Sequence, residues 1–230
     1  MGSTGKASLI SDKQGKAIQK IANRTRKLKN EQYRILDAEG NAVLTAQGAE
    51  HMVKTSVGDK RNNMPGNISI HNHPSGGTFS ADDFDDFGYG AKAIVAATPE
   101  GDYMLENLKV GTPTQYEGWY DMRDQMIADG AYKEWGILEL RREAEKSPSV
   151  AKISAEIRKY SDEWLQQRNA GVPDSELTSL ITKVNDLQTQ YHNALKAEER
   201  RLETEPAHEW LKKNASKYGF RYTFKEKRTK

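Results

Sequence analysis

His71 and His73 stand one residue apart in "NISIHNHPSGGTFSADDFDDF", residues 67–87. In a strand, residues i and i+2 project from one face. Both imidazoles then point the same way, together with Ser69, while Ile68 and Ile70 point the other way into a core. Two imidazoles at a strand end are placed to share one ion, at nitrogen–metal distances of about 2.0–2.1 Å. A third ligand and an open position for water would complete a catalytic set. Pro74 stops the strand, because it cannot donate to a ladder. Gly76 and Gly77 then let the chain double back. Ser80 is a natural N-cap, and Asp82 and Asp83 fall in the first turn of the helix that follows. An aspartate there can reach the strand end.

A plainer reading uses the same residues. Ser80 and Asp83 form a capping box with Asp in place of Glu. Asp82, Asp83, Asp85 and Asp86 form a solvated face that suits the helix dipole. The histidines are then polar strand ends. A bare strand and a capped helix do not, however, require two same-face histidines, a proline, a glycine turn and an aspartate on the next helix together. That combination points to a metal.

The elements that position these residues follow from the pattern around them. "EQYRILDAEGNAVLTAQG", 31–48, reads as a β-hairpin turning at "DAEGN". "AEHMVKTSV", 49–57, fits a short helix or a strand, and "GDKRNNMPGN", 58–67, reads as a loop. "ISIHNH" is a strand and "SADDFDDF" starts a helix. "AKAIVAATPEGDYMLENLKV" is a second hairpin turning at "TPEGD". From about residue 115, Glu, Lys, Arg, Gln and Leu take over. Trp119, Met122, Met126, Trp135, Leu138 and Leu140 mark a helical region over 116–146. Val150, Ile153, Ile157, Tyr160 and Trp164 then form one heptad seam, and Leu177, Leu180, Val184, Leu187, Tyr191 and Ala194 a second. The short break "NAGVPDS" between the seams predicts an antiparallel coiled-coil hairpin. "PAHEWLKKNASKYGFRYTF" gives a short helix, a glycine stop and a strand returning to the sheet. The expected organisation is a basic N-terminal helix in 1–29, a metal-binding core in 30–114, a helical coiled-coil insertion in 115–203, and a C-terminal helix and strand in 204–230. The fold class is α/β, a mixed sheet with flanking helices and a long helical insertion.

Composition narrows the function. The 230 residues include no cysteine, which excludes disulfides, thiolate metal sites and a cysteine nucleophile. No apolar run approaches the roughly 20 residues of a membrane span, and the N-terminus lacks a signal peptide's apolar stretch. The expected setting is soluble and cytoplasmic. The chain also lacks a Gly-rich phosphate loop with Lys and a Gly-x-Ser-x-Gly elbow. Residues 11–29 carry seven Lys or Arg against one Asp. Ile18, Ile21, Thr25 and Leu28 recur there at helical spacing, so this is an amphipathic helix with a basic outer face. Packing on the core is its simplest use, because no aromatics interleave with the cations as base stacking requires.

The histidine block resembles the JAB/MPN metalloenzyme motif: His-x-His-Pro, a loop, then Ser-x-x-Asp. "HNHPSG" is similar to the form in RadC-type proteins and in JAB-like domains of phage and toxin-associated proteins. "SADDF" resembles their Ser-x-(Glu/Asp)-Asp-apolar step. The resemblance covers roughly residues 30–110 and leaves the helical arm outside. A looser similarity, through "HNHP" and "WLKKNASKYG", extends to phage head-morphogenesis-associated proteins. The resemblance implies a zinc-dependent hydrolase acting on a protein or peptide, with His71, His73 and Asp83 as zinc ligands. Ser80 would help to hold the substrate carbonyl or its oxyanion. The loop between Pro74 and Ser80 has five residues, shorter than that pattern's, which keeps Asp82 as the alternative third ligand. The resemblance also calls for a glutamate from an early strand as proton carrier. Glu31 is the candidate, in phase with Tyr33 and Ile35; Glu39 lies in the turn and Glu50 precedes the undecided segment. The rival readings are a degenerate JAB-like binding module whose arm docks a partner or a second copy, and a nucleic-acid-associated protein using the basic helix and the "KEKRTK" tail.

Overall fold

The computed structural model describes residues 8–49, 53–74, 76–110, 117–131 and 137–227. The chain divides into two compact units, Met1–Lys133 with Thr204–Lys230, and Glu134–Glu203.

The first unit is built on a mixed six-stranded sheet, in the order β2-β1-β3-β4-β5-β6. Its strands are β1 (Gln32–Leu36), β2 (Ala42–Gln47), β3 (Ile68–Asn72), β4 (Ala93–Ala97), β5 (Gly101–Asn107) and β6 (Phe220–Glu226). The expected β1–β2 hairpin forms, and its turn is held by Asp37, whose carboxylate accepts the N–H groups of Glu39 and Asn41 at 2.9 and 2.8 Å. The second expected hairpin is β4–β5. Every neighbouring pair is antiparallel except β3 and β4. A parallel pair needs a crossover, and the helix α3 (Ala81–Gly88) supplies it. All five residues of β3 and all five of β4 are buried, as central strands covered on both faces should be.

The two faces of the sheet have separate cores. On one, Tyr33, Ile35, Ile94, Ala96, Tyr103, Leu105 and Phe220 pack under α3, α4 (Glu117–Ala128) and the C-terminal end of α7 (Asp174–Asn214). On the other, Leu36, Ile68, Ile70, Ala93 and Val95 pack against Ile18 of α1 (Asp12–Thr25). The basic N-terminal helix is therefore a core element, capped by a Ser11–Gln14 box. It is also locked by Arg26, which donates to Asp102 at 3.0 Å and to the Thr98 carbonyl at 2.8 Å. Leu28 lies past the end of α1 and is exposed.

Two expectations change. Residues 58–67 are not a loop throughout, because α2 spans Val57–Asn63. Its N-cap, Ser56, accepts the Asp59 N–H at 3.0 Å and donates to the Asp59 carboxylate at 2.6 Å. Gly58 and two asparagines hide the helix from pattern reading, since each favours turns. The region around 116–146 is also split. Trp119, Met122 and Met126 of α4 are fully buried in the core of the first unit, whereas α5 (Ile137–Glu145) belongs to the second. Glu50, His51, Ser75 and Trp135 lie outside the described residues.

The second unit holds α5, α6 (Pro148–Asn169) and residues 174–203 of the 41-residue α7. A turn at 170–173, with Gly171 at φ +83°, reverses the chain. Val150 packs with Leu195, and the Lys183 ammonium lies 5.7 Å from the Tyr160 ring, so α6 and α7 run antiparallel. Leu177 and Leu187 are buried as the seam predicts, and Leu195, beside the expected Ala194, is the buried residue there. After residue 203, α7 rejoins the first unit, where Trp210 donates to Asp129 at 2.7 Å. A 3-10 turn and Gly219 at φ +87° then deliver β6 to β5, the expected return of the chain to the sheet. No helix among the described residues is long and apolar enough to cross a membrane.

Candidate metal centre

The site lies at the carboxyl end of β3, where the chain leaves the sheet for α3. His71 sits in the strand and His73 just beyond it, with its N–H donating to the Ala97 carbonyl at 3.0 Å. That bond extends the β3–β4 ladder by one step and holds His73 on the same face as His71. Both side chains are buried. Their Nε2 atoms face each other at 2.7 Å.

Asp83 closes the group. Its carboxylate stands 3.0 Å from His71 Nε2 and 3.4 Å from His73 Nε2. The short loop therefore does bring Asp83 to the histidines, while Asp82 is exposed and outside the converging donors. The same carboxylate accepts the Ser80 backbone N–H at 2.6 Å. The capping box and the triad are thus one arrangement: the cap fixes the rotamer that aims Asp83 at the imidazoles. Ser80 is found at the N-cap, where its backbone N–H serves Asp83.

The second ring nitrogen of His73, Nδ1, faces the Gly77 carbonyl at 3.0 Å. A carbonyl only accepts, so Nδ1 carries the hydrogen and Nε2 is left as the ligand atom in the neutral ring. Burial disfavours the charged His73 ring. The Asp83 hydrogen bond and charge, the Glu31 charge and the Gly77 carbonyl outweigh burial and push its pKa up to about 9. Burial also works against the Asp83 carboxylate, but the two imidazoles hold it well below the ordinary carboxylate value. Without a cation the group thus stores a proton.

Glu31 stands just before β1, the strand beside β3. β1 pairs antiparallel with β3 with Tyr33 opposite His71. That register ends there: the Gln32 N–H donates to the Asn72 side chain at 2.8 Å, and Glu31 bonds through its backbone to Gly48 and Ala49. Its charge acts on His73. Glu39 instead pairs with Lys13 in the hairpin turn.

Three residues behind the site escape sequence reasoning. The Tyr33 ring stacks on His71 with centroids 6.2 Å apart. Its hydroxyl donates to the buried Asp86 at 2.9 Å, and Lys60 of α2 reaches the same carboxylate at 2.7 Å. Burial, and then Asp86, raise the Tyr33 phenol far above its ordinary value, so it stays a donor. Asp83 and Asp86 are three residues apart on α3, one aimed at the histidines and one at this anchor. Their i, i+3 spacing was a usable signal; Lys60 was hidden by the unread helix.

The donor set suits a divalent ion that takes imidazole nitrogen and carboxylate oxygen. Ligand atoms 2.0–2.1 Å from a tetrahedral ion stand about 3.3–3.4 Å apart. The His73 pair with one Asp83 oxygen, at 3.4 Å, already has that length; the His71 pair with the other oxygen, at 3.0 Å, and the imidazole pair, at 2.7 Å, would open by about 0.3–0.7 Å. His71 Nδ1 is buried without a hydrogen-bond partner, which leaves that ring less firmly oriented than His73.

The fold and site define an α/β protein with a mixed six-stranded sheet, a helical insertion and a His-His-Asp group able to hold a metal ion. No protein-family model matches the chain, and no curated protein or solved structure matches it.

Proposed function

We propose that the protein is a zinc-dependent hydrolase of JAB/MPN type that cleaves a peptide or isopeptide bond. The observation that carries this reading is the converging His71–His73–Asp83 group, with the charge of Glu31, just before β1, acting on His73. A structural metal needs no further carboxylate beside its ligands; hydrolysis does.

Zinc held by His71, His73 and Asp83 would supply a Lewis acid and lower the pKa of its water to about 7. The chain's own residues divide the remaining work. Glu31 takes a proton from the attacking water and returns it to the leaving amine. Gly77 keeps His73 in the tautomer that presents Nε2. The helix cap aims Asp83, and Ser80, at the mouth of α3, would hold the substrate carbonyl oxygen. Phage or mobile-element association fits the motif resemblance alone. A second reading, a JAB-like binding module whose arm docks a partner, is favoured by the apolar groove between α6 and α7. Leu165 and Ile181 are 49% and 40% exposed there, beside Trp164 and Val184.

Metal content by elemental mass spectrometry, followed by cleavage of quenched-fluorescence peptides and an isopeptide-linked pair, tests the proposal. The expected result is about one zinc per chain, lost in His71→Ala/His73→Ala. In Glu31→Gln zinc should be retained while cleavage falls by roughly 100-fold or more. Zinc binding without cleavage of either substrate type would favour the binding module. Absence of zinc after loading would overturn both the site and the hydrolase.

A further inference from the structure

The sheet face opposite the metal centre is covered by α1, and the outer side of α1 is a ridge of cations. Lys16, Lys20 and Arg24 follow one another at four-residue spacing, which sets them on one side of the helix, and Lys27 follows in the turn just past its end. All four are exposed. At 1.5 Å per residue the helical part of the ridge, Lys16 to Arg24, runs for about 12 Å. Lys29 extends it, and Arg34 of β1 lies on the same side of the sheet as α1, its pair partner being the core residue Ile70.

These charges have few acids to balance them. From Lys13 to Arg34 there are eight Lys or Arg and one acid, Glu31, whose charge acts on His73. Lys13 pairs with Glu39, and Arg26 pairs with Asp102. Asp12 precedes Lys16 by one turn but makes no ion pair with it. Lys16, Lys20, Arg24, Lys27, Lys29 and Arg34 have no ion-pair partner among the described residues. Two of them are even set against each other: burial and then the Arg24 charge both work against the Arg34 guanidinium. The arm shows the opposite habit. There Arg141 pairs with Glu145, Lys146 with Glu143 and Arg201 with Glu198, each within one helical turn. The chain as a whole is only +2, so its positive charge is concentrated on α1 and not spread evenly.

We infer that the Lys16–Lys20–Arg24–Lys27 ridge binds the phosphate backbone of double-stranded nucleic acid without reading its sequence. A row of cations along a core-packed helix and the turn that ends it suits a regular polyanion. Residues 11–29 contain no aromatic side chain, so unstacked bases of a single strand find no platform. Gln19 and Asn23, exposed beside the ridge, add neutral donors to phosphate oxygens. A lipid surface fits poorly, because the apolar side of α1 (Ile18, Ala22) is buried against the sheet and cannot enter a bilayer. The inference stands independently of the metal centre.

Fluorescence anisotropy of a short labelled DNA duplex, titrated with the full chain over a salt series, tests it. Binding in the range of about 10⁻⁴–10⁻⁶ M near physiological salt is expected, with log K falling against log salt at about −0.9 per neutralised phosphate. Lys20→Ala/Arg24→Ala should weaken binding and flatten that slope by about 2. The charge-matched control Lys152→Ala/Lys196→Ala, on exposed positions of the arm, should leave both unchanged. No duplex binding at low salt would overturn the inference. So would equal weakening by the control, or stronger binding to phosphatidylserine vesicles or polyglutamate than to duplex.

Discussion

Raising the pH from 6.5 to 9 in the presence of a chelator should destabilise the unit that carries the His71–His73–Asp83 group, and the size of the loss follows from His73. The folded protein holds the His73 proton up to about pH 9, against an ordinary value of 6.5. The folded state therefore binds this proton more tightly than the unfolded chain does. Its stabilising contribution is complete below 6.5 and is lost as pH rises through 9. The span of about 2.5 units, at 1.36 kcal/mol per unit, amounts to about 3 kcal/mol. For a chain of this size that lowers the unfolding midpoint by about 6–12 °C. Other histidine and carboxylate shifts do not contribute in this window. Asp83 is depressed, so its contribution exists above the ordinary carboxylate value of 3.8 and is lost only in acid. His208 is lowered by burial, so above 6.5 it is neutral in both states. The assay is thermal unfolding followed by tyrosine and tryptophan fluorescence at closely spaced pH values. It is run on the wild type with a chelator, on the wild type with zinc, and on Asp83→Asn. The chelated wild type should show the downward slope. Zinc should remove it, because the ion replaces the proton and binds more tightly as pH rises. Asp83→Asn should flatten it, since the asparagine can keep the cap but not the charge. A flat profile for the chelated wild type would refute the claim that His73 and Asp83 share a buried proton, and with it the poised ligand geometry.

Two further outcomes test what supports each unit. Asp86→Asn or Lys60→Ala should cost about 3–5 kcal/mol, the usual result of breaking a buried pair, and zinc affinity should fall by about 10–100-fold as the α3 anchor loosens; chemical denaturation and a competing zinc indicator measure the two. Leu187→Ala, which empties a buried position of the arm, should cost about 2–5 kcal/mol. Hydrogen exchange should place that loss in residues 134–203 and leave zinc binding unchanged.

Much of the site was legible because its signals are local. The period-2 placement of His71 and His73, the stop at Pro74 and the Ser80–Asp83 cap are set within a dozen residues. Each follows from backbone geometry that neighbouring residues impose. The hairpins and the α6–α7 seam were readable for the same reason. α2 was not, because its glycine and asparagines oppose a helix that Ser56 and tertiary contacts hold in place. Nor was the membership of α4, whose Trp119 and Met122 would have served equally well in the arm.

By itself, the sequence determined which side chains could do chemistry: two same-face imidazoles, a capped aspartate, an in-phase glutamate and a cationic helix face. Alternation and capping act over a few residues and need no partner elsewhere. Only the tertiary structure decided that Asp83 and not Asp82 meets the histidines, because that depends on how α3 docks through Asp86 on Tyr33 and Lys60. It alone set Tyr33 opposite His71, because strand register across the intervening residues 37–67 is fixed by pairing and burial, which no local pattern encodes.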